Sequence, residues 1–144
     1  MTRPFYEQET DRVNEREVVL SWLKNNKNFH VKKLRTRYVL DFGVFKSNSN
    51  EMVCAVEVRC RDVMPDTYPD IMCNLLKHRL AEVFDNYNIP TYFLVRFKNG
   101  DIYAHKFNLD KGHYTVKYGG RTDRNDWEDM EPILCIPMAE FKKV

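Results

Sequence analysis

The sequence lacks the features that mark membrane, secreted and zinc-binding proteins. No apolar run approaches the roughly 18 residues that a membrane helix needs, and the first residues contain no apolar signal-peptide core. The four cysteines form no CxxC pair, and no histidine stands at zinc-ligand spacing from any of them. We therefore expect reduced thiols, a cytoplasmic location and no membrane partner. Cys54 and Cys60 fall on one face of a predicted strand with Val56 and Val58, so we expect both thiols to be buried.

The composition is that of a folded domain. The chain has 144 residues, of which 43% are hydrophobic, 31% charged and 13% aromatic. Disordered chains contain fewer apolar residues, and this length is sufficient to bury a core. We predict a single domain over residues 1–144, with a core from about 7 to 107 and a C-terminal extension from 108 to 144.

The formal net charge of +2 is unevenly distributed along the chain. Residues 24–37 contain six lysines and arginines and no acidic residue, whereas residues 123–131 contain five carboxylates and one arginine. A basic band favours a polyanionic partner such as DNA, although a solvated strand edge gives the same pattern. An alternative is an interaction protein whose acidic loop docks on a basic partner. The cationic residues that we expect to contact a polyanionic partner are Lys32, Lys33, Arg35, Arg37, Arg61 and Arg79.

Apolar periodicity predicts two helices and several strands. Apolar residues recur at helical spacing over about 8–25 and again over about 70–87. Asn99-Gly100 predicts a hairpin turn, and a helix between strands implies a crossover connection, so we expect an α/β sandwich with a mixed sheet. The strand candidates are 29–37, 38–46, 52–61, 91–98, 101–107, 114–118 and 132–138.

Two carboxylates stand inside these apolar strands. Asp41 lies within 38–46 on the face opposite the apolar row, and Glu57 shares a face with Arg59. A short polar turn joins the two strands, so they pair in antiparallel fashion and bring Asp41 beside Glu57. A buried carboxylate is costly unless it binds a cation or a hydrogen-bond donor. The pair therefore predicts a divalent-metal site.

Structural roles are open for the same residues. Asp41 is also compatible with a strand-end residue that bonds to a backbone loop, and Glu57 with Arg59 is compatible with a cross-strand salt bridge. Glu15 projects from the apolar stripe of the first helix, where a site residue and a plain helix glutamate both fit. Lys77 fits a solvated or DNA-contacting charge as well as a catalytic one.

The order of these residues resembles the PD-(D/E)xK nuclease superfamily, which includes restriction-endonuclease-like enzymes and Holliday-junction resolvases. The resemblance covers about residues 7–107 and rests on Glu15 in a helix, Asp41 in a strand, Glu57-Val58-Arg59 in the next strand and Lys77 in the following helix. Small phage-encoded members are similar to the segment Glu57-Val58-Arg59-Cys60-Arg61, followed by Tyr68-Pro69 and then Lys77. The resemblance implies a restriction-endonuclease-like three-layer sandwich, with a central mixed β-sheet flanked by helices in the order α-β-β-β-α-β-β.

The resemblance also implies roles for these residues. In that family the aspartate and the first acidic residue of the ExK triplet bind one or two magnesium ions, and these positions are Asp41 and Glu57, with Mn²⁺ as the alternative ion. The Val58 carbonyl and Glu15 are the further ligands. The usual lysine is replaced by Arg59, which cannot act as a general base but can stabilise charge on a phosphate. Lys77 is the second candidate for the catalytic cation.

Two functional hypotheses follow from the resemblance. The first is a metal-dependent endo- or exodeoxyribonuclease of phage DNA processing or recombination, located in the host cytoplasm and able to form a homodimer. The second is a nuclease-like fold that no longer cuts and that binds DNA or a partner protein, because Arg59 stands where the family usually has lysine.

Overall fold

The structure, a computed structural model, describes residues 9–109, 114–120 and 130–144. In this part of the chain two α-helices and nine β-strands are present. The helices are α1 (Glu9–Trp22) and α2 (Leu75–Asp85). The strands are β1 (Phe29–Lys33), β2 (Phe42–Lys46), β3 (Met52–Cys60), β4 (Asp70–Asn74), β5 (Thr91–Arg96), β6 (Ile102–Lys106), β7 (Thr115–Gly120), β8 (Met130–Pro137) and β9 (Lys142–Lys143).

The strands form two sheets. The larger sheet has the order β1-β2-β3-β5-β6-β9, in which β3 and β5 are parallel and every other pair is antiparallel. The smaller sheet has the order β4-β8-β7 and is antiparallel. The connection from β3 to β5 passes through β4 and α2, as a parallel pair requires a crossover. The predicted mixed sheet and the predicted hairpin at Asn99-Gly100, between β5 and β6, are confirmed.

The alternation of side chains along β3 divides the core into two layers. Val56 and Val58 face the α1 side and pack with Val18 and Val19 of that helix. On the other side, Phe93 and Val95 of β5 pack under α2 and the smaller sheet. The predicted three-layer sandwich is therefore confirmed, with the smaller sheet as an addition to the outer layer that contains α2.

Three local predictions were wrong. Residues 70–74, expected in the second helix, form β4 because Ile71 and Cys73 alternate inward and the strand pairs with β8. Asp41 lies just before β2 rather than inside a strand. Cys60, expected to be buried, is exposed at the end of β3. The four cysteines are free thiols, as expected.

The C-terminal segment contributes to the core. Leu134 and Ile136 of β8 are buried in the cluster on the α2 side, and so is Phe141. Of the predicted acidic loop, residues 123–129 lie outside the described residues, and Glu131 is in β8. In the described ranges, neither helix is long and apolar enough to span a membrane.

Candidate active site

Strand pairing places Asp41 directly beside Glu57. Phe42 is opposite Val56 in the antiparallel pair of β2 and β3, so the preceding residue, Asp41, is level with Glu57. The Asp41 amide donates to the Val56 carbonyl at 3.1 Å, and the Val58 amide donates to Asp41 Oδ2 at 2.9 Å. The two side chains therefore project from the same face of the sheet edge, with their carboxyl groups in hydrogen-bonding reach.

Glu57 is a buried carboxylate with an unmatched oxygen. Its side chain is only 3% exposed, and Oε2 forms an ion pair with Lys77 Nζ at 2.6 Å. Oε1 is buried and accepts no hydrogen bond from any donor in the described part of the chain. Burial and then the adjacent Asp41 raise the pKa of Glu57 well above its ordinary value, against the opposing charges of Lys77 and Arg59. The unpartnered Oε1 of Glu57, beside the Asp41 carboxyl group, is therefore a position where a cation would be stabilised.

The surroundings of Asp41 shift its pKa in the opposite direction from that of Glu57. Burial on its own raises the pKa of this carboxyl, but the hydrogen bonds from Glu57 and the Val58 amide, together with Lys77 and Lys33, lower the pKa overall. Lys33 Nζ lies 3.2 Å from Oδ1. The pKa values of the two carboxyl groups are therefore shifted in opposite directions, as expected of two like charges that share one site.

Lys77 connects the carboxylates to a strained bend in the chain. Besides its ion pair with Glu57, its ammonium group donates to the carbonyl of Val39. Val39 has φ of 69°, a left-handed conformation that a β-branched residue rarely adopts. Such strain persists where surrounding contacts impose it and is concentrated at functional sites. The bend turns the chain into β2 and positions Asp41 against β3.

These residues line one cavity of about 430 Å³. Its walls contain all six residues that were predicted as catalytic or metal-binding, Lys77 included. The lining residues are Asn14, Glu15, Asp41, Glu57, Val58, Arg59, Cys60 and Lys77. Arg59 makes no ion pair or hydrogen bond with another described residue, so its guanidinium group is available to a ligand. Among the described residues no cluster of three or more metal-ligating side chains is present.

The donor set fits a hard divalent cation with an incomplete protein shell. Mg²⁺ takes oxygen ligands, keeps several waters and is often held by one or two carboxylates together with substrate phosphate. Asp41 and Glu57 supply two adjacent carboxylates, and the buried Oε1 of Glu57 lacks a donor. The amide of Val58 is committed to Asp41, which leaves the Val58 carbonyl as the group to test as a ligand.

The basic residues expected to contact nucleic acid lie in different surroundings. Lys33 is bound to Asp41, and Lys32 Nζ lies 3.3 Å from Asn50 Oδ1 and over the ring of Phe45. Arg35 and Arg37 are exposed near the bend that precedes Asp41. Arg79 is exposed on α2 with Glu82 at 3.8 Å, and Arg61 is half-buried after β3.

Sequence reasoning missed three cations close to the site. The sequence analysis assigned Lys33 to the basic band. Because β1 and β2 pair in antiparallel fashion, with Lys33 opposite Phe42, the Lys33 side chain lies near Asp41. Arg96 and Lys98 end β5 and begin the hairpin turn, and they line a second cleft with Arg61. The signal that could have found them is the pairing of β3 with β5, which a crossover connection makes parallel.

Comparisons with known proteins agree with this fold. The sequence profile of the family described as "Phage putative PDDEXK endonuclease" matches residues 1–144. One similar solved structure is Hjc of Archaeoglobus fulgidus, a Holliday junction resolvase from an archaeal hyperthermophile. It has a TM-score of 0.52 and 12% sequence identity, and the match covers 90% of this chain and 85% of that chain. At this identity the likeness establishes the fold alone.

A search of curated proteins gave no match. The family match spans the whole chain, and the fold of the resolvase agrees with the predicted restriction-endonuclease-like sandwich. Proteins with PD-(D/E)xK sites are nucleases that generally use divalent metals. The chain belongs to the phage PDDEXK endonuclease family.

Proposed function

We propose that this protein is a Mg²⁺- or Mn²⁺-dependent deoxyribonuclease that hydrolyses phosphodiester bonds at the cavity between Asp41 and Glu57. One observation carries the proposal: strand pairing sets the Asp41 and Glu57 carboxyl groups side by side in one cavity, and the buried Oε1 of Glu57 has no donor in the described part of the chain. A divalent cation held between the two carboxyl groups satisfies both of them. Glu15, which lines the same cavity, is proposed as a supporting ligand.

The cation and the chain's own residues have different tasks. When bound, the cation polarises the phosphate and lowers the pKa of a water nucleophile. Asp41 and Glu57, with the Val58 carbonyl, hold it. Arg59 contacts a non-bridging oxygen of the scissile phosphate and stabilises charge as the bond breaks. Because a guanidinium group stays protonated, Arg59 does not remove a proton.

Lys77 is proposed to provide the cation that the family usually places at the third position of the triplet. Its ammonium group reaches Glu57 from α2, whereas Arg59 occupies the triplet position on β3. A lysine delivered from the following helix can orient a water or a phosphate oxygen at the same carboxylate. The replacement of lysine by Arg59 is then compatible with catalysis.

The test is cleavage by two isosteric variants. We expect Glu57→Gln and Asp41→Asn to lower the rate of cleavage of linear and branched DNA in Mg²⁺ by a factor on the order of 10²–10³ or more, because each removes a carboxylate ligand. Glu51→Gln is the matched control, since Glu51 is exposed in the β2–β3 turn and its carboxylate pairs with Lys46, away from the cavity. Unchanged cleavage by both site variants would reject the assignment.

A second candidate function is a nuclease fold that binds DNA without cutting, and Arg59 is the observation that favours it. Salt-dependent binding of DNA by the wild-type protein, with no product in Mg²⁺ or Mn²⁺, would support this alternative. Nicking of a closed circular plasmid would reject it and would also identify the enzyme as an endonuclease. Homodimer formation stays a prediction that sedimentation can test.

A further inference from the structure

A second cleft adjoins the active-site cavity at the carboxyl ends of the two parallel strands. We call it the basic cleft and define it by Arg61, Asp62, Arg96 and Lys98; its volume is about 560 Å³. Arg61 directly follows β3, which contains Glu57 and Arg59, and Arg96 is the last residue of β5. Cys60 lines both the basic cleft and the active-site cavity. The two depressions are therefore neighbours along this edge of the sheet, with Cys60 in the wall of both.

The cleft carries an uncompensated positive charge. Three cationic side chains and one carboxylate, Asp62, line it. None of the three cations forms an ion pair or a side-chain hydrogen bond with another residue in the described ranges. Arg61 is half-buried, and burial followed by the nearby charge of Arg59 lowers its pKa, so the two guanidinium groups repel each other. Partly desolvated like charges are costly unless an anion lies between them.

The basic band of residues 24–37 differs in this respect. Lys33 is neutralised by Asp41, and Lys32 is held by Asn50 and the ring of Phe45. The cations of the basic cleft have no comparable partner among the described residues. The cations of the basic cleft therefore attract an anionic ligand more strongly than Lys32 and Lys33 of the basic band do.

The walls of the cleft are held by backbone hydrogen bonds. The Arg61 amide donates to the Arg96 carbonyl at 2.8 Å, and the Lys98 amide donates to the Val63 carbonyl at 3.0 Å. The hairpin turn is closed by the Gly100 amide, which donates to the Phe97 carbonyl at 2.9 Å. Gly100 has φ of 89°, and a Cβ built on it would meet no atom within 4 Å. The site is thus preformed and open on one side.

The distance between the basic cleft and the active site matches the distance between neighbouring phosphates of a nucleic-acid strand. Arg59 and Arg61 are two residues apart on one extended segment, which separates their Cα atoms by about 6.6 Å. A strand of nucleic acid whose scissile phosphate lies at Arg59 has its neighbouring phosphates at comparable distances. The geometry points to the basic cleft as the site of a neighbouring, uncut phosphodiester of the same nucleic-acid strand, held by Arg61, Arg96 and Lys98. This inference rests on the proposed nuclease function.

The experiment measures DNA binding without cleavage. The full chain, in EDTA, is titrated against a fluorescent oligonucleotide at several salt concentrations, and the slope of log K against log salt is determined. Each phosphate contact contributes about 0.7 to this slope for single strands and about 0.9 for duplex DNA. For Arg96→Gln with Lys98→Gln we expect weaker binding and a slope smaller by about 1.4 to 1.8.

Matched variants keep the result interpretable. Lys98→Gln alone changes an exposed turn residue, cannot remove core packing and should lower the slope by about 0.7 to 0.9. Lys46→Gln is the control, because Lys46 is an exposed lysine at the far end of β2 that pairs with Glu51. Its slope should equal that of the wild type.

A slope unchanged in both cleft variants would overturn the inference, and so would an absence of DNA binding by the wild type. The proposed catalytic function fails by a different result. If the wild type binds DNA through the cleft but yields no product in Mg²⁺ or Mn²⁺, the binding site stands and the hydrolysis does not. If Glu57→Gln abolishes cleavage while the cleft variants bind as the wild type does, the hydrolysis stands and the cleft site does not.

Discussion

At the residue scale, two cations approach the same buried carboxylate from different elements. Lys77 reaches Glu57 from α2, and Arg59 lies two residues further along the strand that contains Glu57. Their side chains are not interchangeable: lysine is a compact point charge whose pKa shifts on burial, whereas arginine offers a planar, permanently protonated fork. The proposed division of labour gives Lys77 the role nearest the carboxylate and Arg59 the contact with phosphate.

This division predicts a rescue. We expect Lys77→Met to reduce DNA cleavage by roughly 10²-fold or more, because the positioned ammonium group is lost. Adding Arg59→Lys, which restores the usual family residue, should recover part of the rate in the double variant. Single-turnover cleavage of a labelled duplex measures both. A double variant as inactive as Lys77→Met would show that the two positions do not substitute for each other.

The opposed pKa shifts of the carboxyl pair predict how stability depends on pH. The pKa of Glu57 is raised in the folded protein, so the folded state binds more protons than the unfolded state. The contribution of Glu57 to stability is therefore present below the ordinary pKa of 4.5, and it is lost as pH rises through the folded pKa. The pKa of Asp41 is lowered from 3.8, so its contribution is present above that value and lost as pH falls through the folded pKa.

Urea unfolding in EDTA tests the Glu57 part of this dependence. As pH rises above 4.5 we expect the wild type to lose the Glu57 contribution to its free energy of unfolding, and Glu57→Gln to lack this loss because the amide does not titrate. Glu51→Gln should retain the wild-type slope. Equal pH dependence in Glu57→Gln and wild type would show that Glu57 is not the group responsible.

At the element scale, α2 is positioned by its first residues. Asn74 is the N-cap: its Oδ1 accepts from the Leu76 amide at 2.7 Å, and its Nδ2 donates to Glu131 of β8 at 2.7 Å. One side chain therefore starts the helix that holds Lys77 and ties it to the smaller sheet. Asn74 also ends β4, which is why this segment changes from strand to helix within one residue.

We expect Asn74→Ala to lower the free energy of unfolding by about 1–2 kcal/mol, since both the cap and the bond to Glu131 are lost. Asn74→Asp keeps the cap but places a charge beside Glu131, which separates the two contributions. Asn50→Ala, an exposed position in the β2–β3 turn, should change stability by less than about 0.5 kcal/mol. Urea denaturation at pH 7 measures the three variants, and no loss in Asn74→Ala would contradict the proposed role.

The elements also show which features a sequence predicts and which it does not. The strand pair that brings Asp41 to Glu57 was predictable, because a short polar turn joins two apolar segments and alternation assigns their faces. The strand β4 was not, because five residues beside a helical pattern carry little periodic signal and its partner β8 is more than fifty residues away. For the same reason Arg96 and Lys98 were missed: their approach to Arg61 depends on β5 lying beside β3.

At the scale of the whole molecule, the C-terminal segment completes the fold around the site. Strand β8 covers the α2 side of the large sheet, where Ile136 is fully buried, and Phe141 packs against Phe93 with ring centroids 5.7 Å apart. The layer that positions Lys77 thus depends on residues far along the chain from the site. Stability and the geometry of the site are coupled through this core.

Ile136→Ala should lower the free energy of unfolding by about 2–5 kcal/mol, because it leaves a cavity in the core. Val116→Ala on β7 is the control, since Val116 is 55% exposed and its truncation leaves no cavity. Thermal denaturation compares the two. Well below the midpoint, Ile136→Ala should cleave DNA at the wild-type rate; a small stability loss would indicate that β8 does not seal the core.

The central claim is that Asp41 and Glu57 together hold one divalent cation, and a crystal of this 144-residue protein soaked in Mn²⁺ tests it most directly. Anomalous scattering identifies the ion independently of any assay of cleavage. We expect a single strong peak ligated by both carboxylates in the wild type, and its loss in a Glu57→Gln crystal treated in the same way. A wild-type crystal with no peak between these side chains, and with Lys77 still paired to Glu57, would contradict the account.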